Sequence, residues 1–237
     1  MITKKEQAFH FFSRDPVLYV SLSEPLRLGR AQVVACSDMG VLLCHDTDLL
    51  MLAAESMEAA EPLLAAWNRP MQEITVVGTT LTDDLMDRMQ LQMSSRCYQA
   101  VYCKEERLPV HADIRQLDLS YFQAVLEGYS LFQDPDYVDN RLRSGVVYGA
   151  FVDGTLAGFV GEHREGSMGM LEVFPAYRGR GLAVALEGFQ INRYLSEGRV
   201  PFDQVILGNE ISMGLQRKLG LELSQETVAW LWADDEA

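Results

Sequence analysis

Long apolar runs are missing from this chain. No stretch approaches the roughly 20 residues that a membrane-spanning helix needs. The opening Met1-Ile-Thr-Lys-Lys-Glu-Gln lacks the apolar centre of a secretory leader, so a cytoplasmic location and no membrane partner are expected. Cysteine is scarce: Cys36, Cys44, Cys97 and Cys103 form no C-x-x-C and sit among strand-like residues. Buried free thiols are expected there rather than disulfides or a zinc site. His10, His45, His111 and His163 are scattered, with neither H-x-x-x-H nor H-E-x-x-H, so no metal is expected. Basic residues are few, 20 against 34 acidic ones, for a net charge of −14. Such a surface repels phosphate backbones unless the basic residues are strongly segregated, and no basic run supplies that patch. No nucleic-acid partner is expected; the acidity is compatible with a cationic amine. Neither the dinucleotide G-x-G-x-x-G nor a phosphate loop ending in Gly-Lys-Ser/Thr occurs.

What is present suits a soluble globular protein. The 237 residues, 48% hydrophobic and 23% charged, are enough for one large domain or two small ones. Residues 1–14 read as a lead-in carrying Phe11 and Phe12. Val17–Val20, Ala31–Cys36 and Val41–Cys44, broken by Pro25, Gly29 and Asp38-Met39-Gly40, read as antiparallel strands. Ser56 caps a helix towards Trp67 with Pro62 inside it, and Ile74–Val77 is a strand. A helix from Thr82 to Met93 and a strand Cys97–Cys103 follow. Met86, Met89 and Met93 suit core packing. Residues 1–104 carry no chemical motif. The polar stretch from Lys104 to Pro109 is the best linker, so two domains are expected, 1–107 and 108–237.

Beyond the linker the pattern is richer. Ala112–Leu117 reads as a strand, Asp118 or Ser120 caps a helix towards Tyr129, and Asp136 caps another ending near Gly145. Val146–Val152 and Leu156–Glu162 are strands joined by Asp153-Gly154, a strong two-residue hairpin signal. Phe202–Leu207 and Thr227–Trp232 complete the sheet, with Val228, Trp230 and Trp232 on one face.

The chain is organised around Ser167 to Ala183. A strand through Val173 stops at Pro175, which has no N–H. The basic turn Arg178-Gly179-Arg180-Gly181 follows, and Leu182, Leu186 and Phe189 then fall at helical spacing. Glycines at 179 and 181 let main-chain N–H groups approach a ligand. The helix N-terminus has free N–H groups and the positive end of its dipole, which together favour an anion such as a phosphate. Arg178 and Arg180 add positive charge.

A second motif follows the apolar run Val205-Ile206-Leu207. Arg178, Gly181 and Ala183 in Arg-x-x-Gly-x-Ala, with Asn209-x-x-Ser212-x-x-Leu215-x-x-Lys218-Leu219-Gly220, resemble the GNAT superfamily of acyl-CoA-dependent N-acyltransferases. The resemblance covers residues 110–232 and extends to two-domain members such as the glycine N-acyltransferase-like group. It implies an α/β fold with a mixed sheet, the GNAT fold in the C-terminal half and a degenerate GNAT-like half before it. It also implies acetyl transfer from acetyl-CoA to a primary amine, the acceptor being a small molecule or a peptide. The pyrophosphate would meet the main chain of Arg178, Gly179, Arg180, Gly181, Leu182 and Ala183. Asn209 and Ser212 would line the coenzyme A arm, although Asn209 before a helix that Gly220 ends is also ordinary capping. A bulged, splayed strand over Leu171–Phe174 would offer its main chain, with an N–H near Val173 facing the thioester oxygen, while Leu171 and Val173 also serve as core residues.

The sequence departs from the family at its proton-handling positions. The usual acidic Tyr is Gln216, which can line the sulfur but cannot protonate it. The usual base Glu is Ser167. Glu162, Glu172 and the turn residue Glu165 are the carboxylates at hand, Glu162 and Glu172 being the catalytic candidates. Tyr129, Phe132, Asp134 and Tyr137 occupy the region where the family places an acceptor lid. The alternative is a catalytically impaired GNAT-fold module that binds coenzyme A in a regulatory or interaction role. Monomer and homodimer both remain open.

Overall fold

The computed structural model describes residues 2–131 and 133–233. Its residues group into two compact units that are discontinuous in sequence. The first takes the chain up to Val101, Gln204–Asn209 and the chain from Glu222; the second takes Tyr102–Asp203 and Glu210–Leu221.

The first unit opens with helices α1 (Lys4–Phe12) and α2 (Val20–Arg27). Thr3 and Glu6 close a capping box on α1, satisfying N-terminal amides from both directions. The expected strand Val17–Val20 is not formed; Val20 starts α2, whose inner face puts Val20, Leu22 and Leu26 into the core. Strands β1 (Ala31–Ser37), β2 (Gly40–His45) and β3 (Leu49–Ala54) follow as antiparallel neighbours. Helix α3 (Met57–Leu64), capped by Ser56 as expected, carries the chain to β4 (Glu73–Val77), parallel to β3. Then come α4 (Thr79–Met89) and β5 (Gln92–Val101). The terminal strand β11 (Glu222–Trp232) lies antiparallel between β4 and β5, so it completes the sheet of this unit, not that of the second. Along it Val228 is buried, Trp230 half-buried and bonded through Nε1 to Gln204, and Trp232 exposed.

The second unit runs β6 (Asp113–Gln116), α5 (Phe122–Gly128), α6 (Pro135–Arg143), β7 (Tyr148–Val152), β8 (Thr155–Glu162), β9 (Met168–Val173), α7 (Leu182–Ser196), the start of β10 (Phe202–Ile206), and α8 (Glu210–Leu219). Strands β6 to β9 form an antiparallel meander. Asp153 and Gly154, both at positive φ, make the tight β7–β8 turn that the sequence signalled. The α6 cap is Asp134, which accepts from the Asp136 and Tyr137 amides, rather than Asp136. The expected linker is tied down: Asn192 of α7 brackets Leu108, accepting from its N–H and donating to its C=O, each at 2.8 Å. All four cysteines are thiols outside any disulfide, but only Cys44 and Cys97 are buried. No described helix is long and apolar enough to cross a membrane.

The chain runs through one order of elements twice. Two helices, three antiparallel strands, a crossover helix, a parallel strand, a helix and a final strand run from α1 to β5 and again from α5 to β11. Strand β3 corresponds to β9, and β4 to β10.

Candidate functional site

The parallel pairs of the two units differ in the feature that matters here. β3 and β4 are closed along five consecutive residue pairs, Leu49 with Glu73 through Ala53 with Val77. β9 and β10 bridge at one pair, Met168 with Asp203. After Met168 the strand bulges. Gly161 pairs with Gly169 and Phe159 with Glu172, so Met170 and Leu171 stand against Val160 alone. Met170 takes φ +52°, a left-handed conformation uncommon for an unbranched side chain. The bulge begins one residue before the Leu171–Phe174 segment where it was expected.

This bulge directs the main chain. The Phe174 N–H bonds the Ala157 carbonyl at 2.9 Å, so Phe174 and Glu172 are the residues bonded to β8. By alternation the Val173 N–H and C=O point to the opposite edge. On that edge the Val173 carbonyl accepts from Arg178 Nε at 2.9 Å. The side chains of Leu171 and Val173 meanwhile pack with Ala157, Val160, Leu182 and Leu186, the core role expected of them.

Pro175 starts a short 3-10 turn through Tyr177, and Gly179 (φ +75°) and Gly181 (φ +79°) then turn the chain into α7. The first amide engaged in the helix is that of Ala185, bonded to the Gly181 carbonyl at 3.1 Å. The amides of residues 179–184 have no hydrogen-bond partner among the described residues. A Cβ added at either glycine would meet nothing within 4 Å, so the turn opens onto free space. Leu182 is buried and anchors the helix, and Ala183 is half-buried beside the open turn. Arg180 lies over the Tyr177 ring at 5.5 Å. A run of unused amides at a helix N-terminus is an anion site, and its chemistry fits a pyrophosphate.

The candidate carboxylates differ sharply. Glu162 is buried in an ion-pair cluster: Arg199 reaches both its oxygens at 2.8 Å and Arg193 reaches Oε2 at 2.9 Å. Arg199 also lies over the Tyr194 ring at 3.8 Å. A proton acceptor needs an accessible lone pair, and these partners occupy the carboxylate, so its geometry is that of a structural anchor. Glu172 is half-buried on β9 and accepts from the N–H and hydroxyl of Ser130. Ser167 is buried, its hydroxyl donating to Glu165, which is also buried.

Tyr129, which follows the last residue of α5, is 3% exposed. Burial, then the charges of Asp203, Glu172 and Glu165, hold its phenol well above the usual range. Tyr137 and His163 meet at 2.5 Å through the phenol oxygen and Nδ1. Burial keeps the imidazole below its ordinary range, hence neutral at pH 7. Phe132 lies outside the described residues. Ser212 is half-buried in the first turn of α8. Asn209 belongs to the first unit, its N–H bonding the Ile206 carbonyl at 3.0 Å.

Gln216 is fully buried, and its Nε2 donates to Asp203 Oδ2 at 2.9 Å. Asp203 escaped the sequence reading because an acid at a strand start looks solvated. Glu187 escaped it too, although an acid spaced four before Ile191 and seven before Tyr194, both buried, was a signal of an inward carboxyl.

No protein-family model and no curated protein matches the chain. Solved structures do. A Drosophila protein superposes with a TM-score of 0.61 at 15% identity, covering 97% of this chain and 87% of that one. A GCN5-related N-acetyltransferase from Kribbella flavida gives 0.56 at 14% identity, with 92% and 95% covered. A GNAT-family acetyltransferase from Colwellia psychrerythraea gives 0.53 at 11% identity, with 95% and 97% covered. At these identities the likeness establishes the fold: a mixed α/β sheet of GNAT type.

Proposed function

We propose that the chain is an acyl-CoA N-acyltransferase that acetylates a primary amine, borne by a small molecule or a peptide. One observation carries this reading: β9, bulged at Met170 and bridged to β10 at a single pair, runs into a turn whose amides from 179 to 184 are unused. The fold of the solved acetyltransferases supports it.

The amides of residues 179–184 and the α7 dipole bind the pyrophosphate, with Arg178 and Arg180 beside them. The outward N–H of Val173 is the donor assigned to the acyl carbonyl. A fixed donor aimed at a developing oxyanion contributes about 3 kcal/mol. Ser212 is assigned to the cofactor arm. When bound, acetyl-CoA supplies an acyl group activated as a thioester. Of the two carboxylates proposed from the sequence, Glu172 is the accessible one, since Glu162 is taken up by arginines.

A second reading, a module that holds coenzyme A without turnover, is favoured by Gln216 standing where the family carries a Tyr. Titration with acetyl-CoA followed by thiol release across an amine panel separates the two. Binding with amine-dependent release supports the transferase; binding without release supports the module; absence of binding removes both.

A further inference from the structure

The side chain of Arg178 turns back to the strand it follows. Its Nε donates to the Val173 carbonyl at 2.9 Å. The same peptide group is held at its other end, where the Phe174 N–H donates to the Ala157 carbonyl at 2.9 Å. The Val173 side chain packs with Leu182 and Leu186, and a β-branched side chain is stiff at its first torsion. Gly158 of β8 approaches so closely that an added Cβ would lie 3.0 Å from Val173 Cα. The sheet gives Val173 no partner on its outward edge, because among the described residues β10 bridges β9 at Met168 alone.

We propose that Arg178 is a positioning residue for acyl transfer: its side chain fastens the Val173 peptide on the open edge of β9 and so keeps the Val173 N–H aimed at the acyl carbonyl. This rests on the acyl-transfer reading and deepens it by giving the side chain a task apart from any charge it lends the pyrophosphate.

Geometry at the donor residue itself supports this. The N–H and C=O of one strand residue leave along the same edge. Arg178 therefore acts on the edge that carries the donor, and at the residue that carries it. An edge without ladder bonds is free to pivot, and a shift of about 1 Å in a reacting geometry costs roughly 100-fold in rate. The bond from Nε is charge-assisted, hence stronger than one between neutral partners. The turn between the two residues supplies the reach. Pro175 fixes one torsion, the 3-10 turn runs to Tyr177, and the Arg178 N–H donates to the Pro175 carbonyl at 3.4 Å. The chain thus folds back far enough for residue 178 to bond residue 173.

Two variants separate the hydrogen bond from the charge. In Arg178→Gln the side-chain Nε2 stands at the same place along the side chain as the arginine Nε, so a donor is kept and the charge is lost. Arg178→Met loses both. Arg178 is exposed, so both variants are expected to fold. The full chain is given acetyl-CoA and a panel of 1,4-diaminobutane, glycine and a peptide with a free N-terminus. The single-turnover rate of acetyl transfer is expected to fall about 10- to 100-fold in Arg178→Met. In Arg178→Gln it is expected to stay within about threefold of wild type. A charge effect on the pyrophosphate falls on acetyl-CoA affinity, and equally in both variants, so it does not mimic this split. Infrared difference spectra of bound acetyl-CoA, carbon-13 labelled at the acyl carbonyl, need no acceptor. The carbonyl stretch is expected to lie lower in wild type and Arg178→Gln than in Arg178→Met. Where no amine in the panel turns over, that stretch decides. Equal rates in the three proteins, equal losses of rate in the two variants, or one stretch common to all three overturns this inference alone. A wild type that does not bind acetyl-CoA overturns the transfer reading and this inference together.

Discussion

The guanidinium of Arg199 meets Glu162 as a bidentate pair, Nη1 to Oε2 and Nη2 to Oε1 at 2.8 Å each, with both side chains 5% exposed. Removing one partner of such a pair leaves a buried charge uncompensated. Glu162→Gln is expected to destabilise the protein by about 3–5 kcal/mol in urea unfolding. If Glu162 served as a base, the variant would instead keep its stability and lose only turnover.

Glu187 gives a pH signature of stability. Its folded-state pKa is raised above that of the unfolded chain, chiefly by burial and then by Asp203. The folded state therefore binds more protons than the unfolded one above the ordinary carboxylate range. Stability contributed by this group is full below that range and falls as the pH rises towards the raised value. Glu187→Gln cannot titrate, so it is expected to melt higher than wild type at pH 8 and to lose this advantage near pH 4. Each kcal/mol relieved raises Tm by about 2–4 °C in a chain of this size. Equal differences at both pH values would contradict the assignment.

Strand β8 fixes the position of Val173. A Cβ at Gly158 would lie 2.5 Å from the Glu172 carbonyl oxygen and 3.0 Å from Val173 Cα, both backbone atoms. Gly158→Ala must push β9 outward. A loss of about 1–3 kcal/mol is expected, together with weaker acetyl-CoA binding by calorimetry. Unchanged affinity with the stability loss present would separate the Val173 N–H from the site.

Much of this was legible in the sequence because the chemistry is local. Pro175 stops a strand, the paired glycines turn it, and the Asp153-Gly154 hairpin and the Ser56 cap act within a few residues. The bulge was foreseen through family resemblance but misplaced by one residue, since nothing in Met170 itself announces a positive φ. What stayed hidden depends on partners distant in sequence. Glu162 reads as an accessible strand acid until Arg193 and Arg199 are folded against it. The apolar Val17–Val20 reads as a strand, yet packing of α2 decides its form. Likewise β11 carries no mark of the strands it lies between, because β4 and β5 are both compatible neighbours.

The open turn before α7 is where acetyl-CoA is expected to bind. Gly181→Glu puts a carboxylate beside the unused amides at a position with φ +79°; the left-handed conformation costs about 1–2 kcal/mol. Gly198→Glu carries the same backbone strain, at φ +66°, beyond the other end of α7, and serves as its control. Calorimetric titration with acetyl-CoA is expected to show saturable binding to wild type and to Gly198→Glu, and none to a folded Gly181→Glu. Equal affinity in all three proteins, or no binding to wild type, would contradict the central claim.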